Sequence, residues 1–408
     1  MTPAIVGIEL YELDLPFRRA FRHAAAERVR STSLFVRFLT DSGHCGYGET
    51  LPRAYVTGEE RGAAFDLLAK RILPRVLGMG FASLWAVHGF LVRCDGKPPA
   101  EWIEDERDSP TPHTAAWCAV DLALLDAFGR AFERELRDGL PGETSSAGAG
   151  SWPEDLGYGL VLSGGTGQSA LTTLLKARLY GLRDVKVKVA DQSAAGVRLA
   201  RCVLGGRARL RVDANMAWTY RQARDAIERM RRYDVESFEQ PLAADDLDGM
   251  ARLTAENGLG IIADESFHDA PSLERLIAAR ACTGVNVRIA KCGGLVASLA
   301  RCRRALEAGL TLQIGCQVGE TSQLSAAQLV LVRTVARGVR ALEGCYGERL
   351  LRRDPVRPLL QFGRRGCPPD PPHGAGFGTT VDMVAIQRHG GRRITLGASV
   401  PPLPQEMS

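Results

Sequence analysis

The protein is a chain of 408 residues, of which 45% are hydrophobic and 24% charged, the composition of an ordinary globular protein. This length predicts one large domain with a smaller one beside it. The net charge of +5 is modest and the charged residues are interspersed, which excludes a basic arm for nucleic acid.

The chain carries no feature of an exported or membrane protein. Its first residues lack the basic and apolar regions of a secretory signal, and no stretch approaches the roughly 20 apolar residues of a membrane span. Ten cysteines are scattered without a C-x-x-C pair, and seven histidines form no H-x-x-H motif. We therefore expect buried, reduced thiols and a cytoplasmic location.

The first part of the chain predicts strands followed by helices. Residues 5–14 and 33–39 have the pattern of strands, and apolar residues recur at helical spacing over 59–78 and 112–135. Strands that precede helices favour an α+β domain over roughly the first 140 residues. A stretch rich in Gly, Ser and Pro, 139–157, is a candidate linker.

Short apolar runs then alternate with segments that can each hold a helix. The runs are 158–162, 184–189, 208–214, 235–239, 260–264, 284–290, 311–315 and 338–342. Eight strands at this spacing, over about 200 residues, predict a TIM-type barrel. The last 45 or so residues, rich in Gly, Pro and Arg, are expected to be irregular.

Charged and polar residues follow five successive predicted strands of this barrel. They are Lys186, Lys188, Asp213, Asn215, Glu239, Gln240, Asp264, Glu265, Arg288 and Lys291. Each pattern alone is ordinary for a solvated strand end or a turn. In a barrel, however, three acids at the ends of three successive strands converge, and they repel one another unless a cation is present. A cluster of carboxylates selects a hard ion, Mg²⁺ or, as the second candidate, Mn²⁺.

The order and spacing of these motifs resemble one family. Lys-x-Lys, Asp-x-Asn, Glu-Gln-Pro, Ala-Asp-Glu-Ser and Lys-Cys-Gly-Gly resemble the muconate lactonizing enzyme (mandelate racemase/muconate cycloisomerase-like) branch of the enolase superfamily. The resemblance covers nearly the whole chain. Residues 46–49 resemble a G-[WY]-G-E motif, 119–126 an A-x-D-x-A-L-x-D helix, and 374–378 a closing G-P-G-[LIF]-G.

The resemblance implies a modified (β/α)7β TIM barrel with an N-terminal α+β capping domain. The expected division is 1–145 for the capping domain, 146–360 for the barrel, and 361–408 for a C-terminal segment that returns to the cap. A homo-oligomer is also expected.

The resemblance further implies the roles of the residues at the strand ends. Asp213, Glu239 and Asp264 would be the metal ligands. Lys188 would be the base, with Lys186 two residues away on the same side of the strand. A nearby cation and the metal favour the neutral amine of Lys188, the form that accepts a proton. The side chains expected to orient the ligands are Asn215, Gln240, Glu265 and Lys291.

The implied chemistry is removal of the proton α to the carboxylate of a small substrate. Removal of this proton places two negative charges on one small group, and a metal ion bound to the carboxylate stabilises the resulting enediolate.

The sequence departs from the family at the end of the sixth barrel strand. Relatives usually carry a second catalytic lysine there, and this chain has Arg288. Lys291 matches a later lysine and, three positions on, is not expected to point where Arg288 points. Arginine stays protonated in proteins, so it cannot readily act as a base, but it can pair with a carboxylate or stabilise an oxyanion.

The arginine bears on the reaction type. One-base chemistry is favoured, either cycloisomerisation or syn-β-elimination by a lyase. One alternative is a racemase or epimerase of amino-acid derivatives or dipeptides, in which another group returns the proton. A second alternative is a metal- or ligand-binding scaffold without catalysis, which only the arginine favours.

Other residues are candidates for contacts with the substrate. Glu320, after the seventh barrel strand, is a candidate general acid or substrate contact, and equally an ordinary loop carboxylate. By the resemblance, cap loops at about 16–31 and 52–59 set specificity. Their candidate substrate-binding residues are Arg22, His23, Arg53 and Tyr55. The identity of the carboxylate substrate stays open among muconate-like diacids, succinylbenzoate precursors, N-acyl amino acids and dipeptides.

Overall fold

The computed structural model describes residues 2–23, 26–104, 111–141, 152–153, 155–163 and 165–398, without the side chains of 21–27 and 257. The expected domain boundary at residue 145 and most of the candidate linker lie outside the described residues.

An antiparallel sheet forms the N-terminal part of the protein. Its strands lie in the order β14-β1-β2-β3. They are β1 (Ile5–His23), β2 (Ala26–Thr40), β3 (Cys45–Thr50) and β14 (Gly390–Gly397). The predicted strands at 5–14 and 33–39 are confirmed and extend further. The expectation that the chain end is irregular is wrong, because β14 pairs with the edge of β1 and so gains a ladder partner far away in the sequence.

The helices packed on this sheet are α1 (Ala54–Thr57), α2 (Arg61–Leu67), α3 (Leu73–Val76), α4 (Leu84–Cys94) and α5 (Thr114–Ala131). The predicted helix at 59–78 is interrupted by a π-helical turn, Leu68–Ile72, between α2 and α3. Helix α5 is buried from Thr114 to Gly129, since the sheet lies on one side of it and helices of the barrel on the other.

The barrel contains eight parallel strands in sequential order. They are β4 (Leu160–Leu162), β5 (Asp184–Lys188), β6 (Arg209–Asp213), β7 (Val235–Glu239), β8 (Gly260–Ala263), β9 (Gly284–Val287), β10 (Thr311–Ile314) and β11 (Val339–Leu342). A bridge between Tyr158 and Leu342 joins the first strand to the last. All eight predicted strands are confirmed.

One helix follows each of the first seven barrel strands, as in a (β/α)7β barrel, except that two helices follow the sixth strand, β9. The helices are α6 (Gln168–Tyr180), α7 (Ala195–Leu204), α8 (Tyr220–Arg231), α9 (Leu247–Asn257), α10 (Ala270–Ala279), α11 (Ile289–Cys292), α12 (Leu295–Glu307) and α13 (Ser322–Val335). After β11 come a 3-10 turn (Gly347–Arg349), β12 (Val356–Arg357), β13 (Thr380–Val381) and α14 (Met383–His389). The predicted run at 284–290 ends early, because α11 begins at Ile289.

The alternation of side chains along β5 and β6 shows how the barrel presents polar groups. Val185, Val187 and Val212 are fully buried and pack into the main hydrophobic cluster. Lys186, Lys188 and Asp213 have the opposite strand parity, so they point into the barrel. Polar groups at the strand ends therefore meet at the carboxyl-terminal mouth of the barrel.

No helix among the described residues is long and apolar enough to cross a membrane. All ten cysteines are unpaired, but the expectation that they are buried is wrong for Cys202 and Cys367, which are exposed.

Candidate active site

Three acidic residues end three neighbouring strands at the mouth of the barrel. In the parallel register Asp213 at the end of β6 is next to Glu239 at the end of β7, and Asp264 follows β8 directly. All three are buried. A cavity of about 440 Å³ opens above them, and Lys186, Lys188 and Arg288 line it. The barrel geometry therefore brings Lys186, Lys188 and Arg288 to one cavity, while the three acidic residues are not part of its lining and contact these cations from below.

Lys186 is surrounded by carboxylates. Its Nζ lies 3.2 Å from Glu239, 3.4 Å from Asp213 and 2.7 Å from Glu343. Burial alone would favour the neutral amine, but these three negative charges outweigh it and raise the pKa of Lys186. Lys186 is therefore held as a cation.

Lys188 has a different environment, although it is only two residues away. Its Nζ lies 3.3 Å from Asp213 and donates a hydrogen bond of 2.9 Å to Asn215 Oδ1. Its side chain is 17% exposed, against 3% for Lys186, and lines the cavity. Of the two amines, that of Lys188 is the one a substrate can reach.

Arg288 and Lys291 both contact Asp264. Arg288 donates to Oδ2 of this carboxylate, and Lys291 donates to Oδ1 at 2.7 Å. Arg288 lines the cavity, whereas Lys291 is fully buried and does not, so the two side chains point in different directions, as expected. Lys291 still reaches Asp264, because β9 ends at Val287 and the short helix α11 turns Lys291 back under the strand end. Asp264 is thus held between Arg288 and Lys291.

Polar side chains fix the ends of the strands that carry the carboxylates. Gln240 accepts hydrogen bonds from the backbone N–H of Asp264, at 2.9 Å, and of Ser266, at 3.1 Å. Asn215 donates to Glu265 at 3.2 Å. Burial, together with the nearby charges of Asp213 and Glu239, raises the pKa of Glu265 to about 7.

Sequence reasoning missed Glu343, which contacts Lys186 and lies 2.9 Å from Arg211. Burial opposes its ionisation, but Lys186 and Arg211 outweigh that effect and lower its pKa. The sequence does contain an indication of this role, because Glu343 directly follows the eighth predicted strand. Two amides on neighbouring strands were also missed. They are Asn286, which donates to Glu239 at 2.9 Å, and Gln313, which donates to it at 2.6 Å.

The remaining candidate residues have different positions. Glu320 and Tyr55 line the cavity. Burial raises the pKa of Glu320 to about 8. Arg53 does not line the cavity, because its guanidinium is buried against the backbone carbonyls of Thr32 and Pro52. The side chains of Arg22 and His23 lie outside the described residues.

Whether a metal ion fits this site depends on the side-chain atoms that could bind it. Among the side chains that the structure describes, no three acids, histidines or cysteines are placed together as a ready cage for an ion. Lysine and arginine groups lie against the carboxylates instead. Asp213 Oδ2, however, is buried and accepts no hydrogen bond, although the Nζ atoms of Lys186 and Lys188 lie 3.4 and 3.3 Å from it. The acidic side chains at these strand ends offer only oxygen atoms as metal ligands. This chemistry fits Mg²⁺ or Mn²⁺, and a bound ion would compete with Arg288 for Asp264.

Comparisons with known proteins agree with this architecture. A family model described as enolase C-terminal domain-like matches residues 170–385. The N-succinyl-L-Arg/Lys racemase of Bacillus cereus is 25% identical and aligns over 79% of this chain and 82% of its own length. Two solved structures are also similar. The dipeptide epimerase of Cytophaga hutchinsonii, complexed with Mg and D-Ala-L-Val, has a TM-score of 0.80 and 21% identity over 96% of this chain and 99% of its own. The muconate lactonizing enzyme of Pseudomonas fluorescens, complexed with muconolactone, has a TM-score of 0.81 and 23% identity over 96% of this chain and 100% of its own.

Proposed function

The chain belongs to the enolase superfamily, in its mandelate racemase/muconate cycloisomerase branch, and from this premise we propose that it is a metal-dependent enzyme that removes the proton α to a substrate carboxylate. The site supports this reaction through three groups of residues: a reachable amine, a fixed cation opposite it, and a cluster of carboxylates between them.

Lys188 is the proposed base. Both lysines line the cavity, but the side chain of Lys188 is the more exposed, whereas Lys186 lies against three carboxylates and is held as a cation.

The observation that carries the proposal is the position of Arg288. Strands β5 and β9 are four places apart in a barrel of eight strands, so Lys188 and Arg288 face the cavity from opposite sides. A guanidinium cannot take up a proton, but it can stabilise negative charge that develops on the substrate. We therefore infer chemistry with one base, that is, a cycloisomerase or a syn-eliminating lyase.

Asp213, Glu239 and Asp264 would hold the metal ion. When bound there, Mg²⁺ supplies positive charge to the substrate carboxylate as the α-proton leaves. Gln240 and Lys291 keep Asp264 in place, and Asn286 and Gln313 keep Glu239 in place.

A second candidate function is racemisation or epimerisation of an amino-acid derivative or dipeptide. The relatives named racemases and epimerases favour it. This reaction returns a proton to the other face of the carbon. Glu320 lines the same cavity and its raised pKa keeps it protonated near neutral pH, so it is the side chain we propose for that step.

The test is α-proton exchange in D₂O with Mg²⁺, followed by NMR over N-acyl amino acids, dipeptides and unsaturated diacids. Wild-type protein should exchange the α-proton of at least one class. Lys188→Ala should reduce the rate by roughly 10²–10⁴-fold, the usual contribution of a general base. The matched control is Lys70→Ala, which removes an exposed lysine paired with Asp66 and should leave the rate unchanged.

The stereochemical outcome separates the candidate functions. Exchange with retention of configuration at the α-carbon, or conversion of the acid to a lactone or an elimination product, supports one-base chemistry, and inversion at the α-carbon supports an epimerase. Failure to exchange with any acid, in protein that binds Mg²⁺, contradicts both and favours a binding scaffold.

A further inference from the structure

Glu343 lies at the candidate active site, but the proposed reaction gives it no role. It directly follows β11, the last strand of the barrel, and its backbone N–H donates to Ile314 O on β10 at 2.9 Å. Its side chain is buried and lines the same cavity as Lys186 and Lys188. A buried carboxylate costs free energy unless charged or polar groups surround it, so its partners indicate what it does.

Both carboxylate oxygens of Glu343 are engaged by the protein. Oε2 lies 2.7 Å from Lys186 Nζ. Oε1 accepts hydrogen bonds from Arg211 Nη1, at 2.9 Å, and from Gln313 Nε2, at 3.3 Å. Because each oxygen already has a cation beside it, this carboxylate is better suited to fixing a neighbouring side chain than to binding a substrate.

Lys186 is the neighbour whose position matters for a metal ion. Its Nζ is 2.7 Å from Glu343, but 3.2 Å from Glu239 and 3.4 Å from Asp213, two of the three proposed metal ligands. An ammonium group and a divalent ion compete for the same carboxylate oxygens, because each neutralises the charge that attracts the other. The shortest of the three contacts is the one to the carboxylate that is not a proposed ligand.

Arg211 holds the other side of Glu343. Its guanidinium also lies 3.6 Å from Asp184 and donates to Gln313 Oε1 at 2.6 Å. These partners come from three strands, since β5 carries Asp184 and Lys186, β6 carries Arg211, and β10 carries Gln313. A network that several strands share fixes the position of each member, so Glu343 offers Lys186 a rigid counter-charge.

We propose that Glu343 is a positioning residue for the metal site: it holds the ammonium group of Lys186 back from two metal ligands, which stay available to a divalent ion. The inference rests on the proposed function, in which Asp213 and Glu239 are those ligands. Without Glu343, these two would be the only described carboxylates that pair with Lys186. A metal ion would then have to displace the ammonium group from both.

The test is calorimetric titration of the full-length protein with Mg²⁺ alone. Glu343→Gln removes the charge, whereas Glu343→Asp keeps the charge and draws it back from the ammonium group by one methylene. Glu343→Gln should weaken Mg²⁺ binding by roughly tenfold, the scale on which one nearby charge acts on a carboxylate, and Glu343→Asp should weaken it too. The matched control is Glu274→Gln, which removes an exposed glutamate paired with Arg304 and should leave binding unchanged.

A double-variant cycle separates positioning from the charge of Glu343 itself. Lys186→Met should strengthen Mg²⁺ binding, because the competing cation is gone. In that background Glu343→Gln should change binding by at most about twofold, the usual limit of additivity, since no ammonium group remains to be held. A loss of the same size with and without Lys186 would show that Glu343 acts through its own charge, and it overturns the proposal.

Folding of each variant is checked by circular dichroism and urea unfolding without metal. If Glu343→Gln does not fold, the cycle is run with Glu343→Asp, which keeps the charge inside the barrel.

Failure of this inference and failure of the proposed function are distinguishable. Equal Mg²⁺ affinity of wild-type protein and both Glu343 variants overturns the inference and leaves the proposed function in place. Wild-type protein that binds no Mg²⁺ contradicts the proposed function, and the inference with it. The expected loss of Mg²⁺ affinity, in protein that exchanges no α-proton, supports the inference and contradicts the proposed function.

Discussion

Glu320 and Lys188 line the same cavity, and their proposed roles are opposite: Glu320 would donate a proton and Lys188 would accept one. Glu320 accepts a hydrogen bond of 2.6 Å from Gln317 N, and burial raises its pKa to about 8, although Arg288 and Arg53 oppose the shift. A carboxyl group in this state can donate a proton near neutral pH.

If Glu320 is a general acid, the reaction rate should fall as the pH rises through about 8, because the proton that it must donate is then lost. Glu320→Gln should be slower by roughly 10²-fold or more below pH 8 and should lose this limb of the profile. The measurement is kcat against pH for wild type and variant. An unchanged alkaline limb in the variant would assign the limb to another group.

Arg288 offers a test at the metal site that needs no substrate. Its guanidinium contacts Asp264 and therefore competes with a divalent ion for that carboxylate. Arg288→Met should strengthen Mg²⁺ binding by about tenfold, the scale on which one nearby opposite charge acts on a carboxylate.

Calorimetric titration with Mg²⁺ measures this change. The control is Arg304→Met, which removes an exposed arginine that pairs with Glu274. Weaker Mg²⁺ binding in Arg288→Met would show that the arginine supports the metal site.

At the scale of elements, the contact between β3 and α5 explains the glycine motif at 46–49. A Cβ atom on Gly48 would lie 1.9 Å from the carbonyl oxygen of Ala119, so only glycine lets the strand approach the helix. Glu49 then accepts a hydrogen bond of 2.6 Å from Thr321 Oγ1, the residue that caps α13. One short strand thus joins the N-terminal sheet to the barrel.

Gly48→Ala should lower the free energy of unfolding by about 3 kcal/mol, the upper range for overpacking a core, because backbone rather than a flexible side chain blocks the methyl group. Gly206→Ala is the matched control, since nothing lies within 4 Å of a Cβ atom there. Urea unfolding measures both variants. Equal stability of the two variants would mean that β3 can move away from α5 at little cost.

At the scale of the whole molecule, two carboxyl groups are buried between elements and have no cationic partner in the part of the chain that the structure describes. Asp121 on α5 accepts a hydrogen bond of 2.7 Å from Leu295 N at the start of α12, and Glu59 accepts hydrogen bonds from Ala115 N and Ala116 N. Burial raises the pKa of each to about 7. Both groups therefore bind protons more tightly in the folded than in the unfolded protein.

The stability contributed by these protons is present below the unfolded pKa values and is lost as the pH rises through the folded ones. We expect the free energy of unfolding to fall between about pH 4 and pH 7, by at most about 1.4 kcal/mol per pH unit for each group. Asp121→Asn should reduce the dependence of the free energy of unfolding on pH by the contribution of one carboxyl group. Unfolding in urea at several pH values tests it, and a slope parallel to that of the wild type would contradict the assignment to Asp121.

Much of this architecture could be predicted from the sequence, because it depends on local periodicity. Short apolar runs separated by helical segments give the eight barrel strands, and a parallel barrel brings successive strand ends to one mouth. Where a prediction failed, a distant partner decided the outcome. Strand β14 forms because β1 offers it an edge almost 400 residues away, and the order of residues from Gly390 to Gly397 gives no sign of that edge.

The sequence by itself determined which residue types stand at the strand ends, including an arginine where a lysine is usual, and so it determined the class of chemistry to be considered. Only the tertiary structure decided which amine is enclosed and which is open, and that Lys291 shares Asp264 with Arg288. It also brought Arg19 beside Arg349 across more than 300 positions of the chain. The physical reason is that charge, burial and access are properties of neighbours in space, and in a barrel those neighbours come from different strands and from the sheet that packs against it.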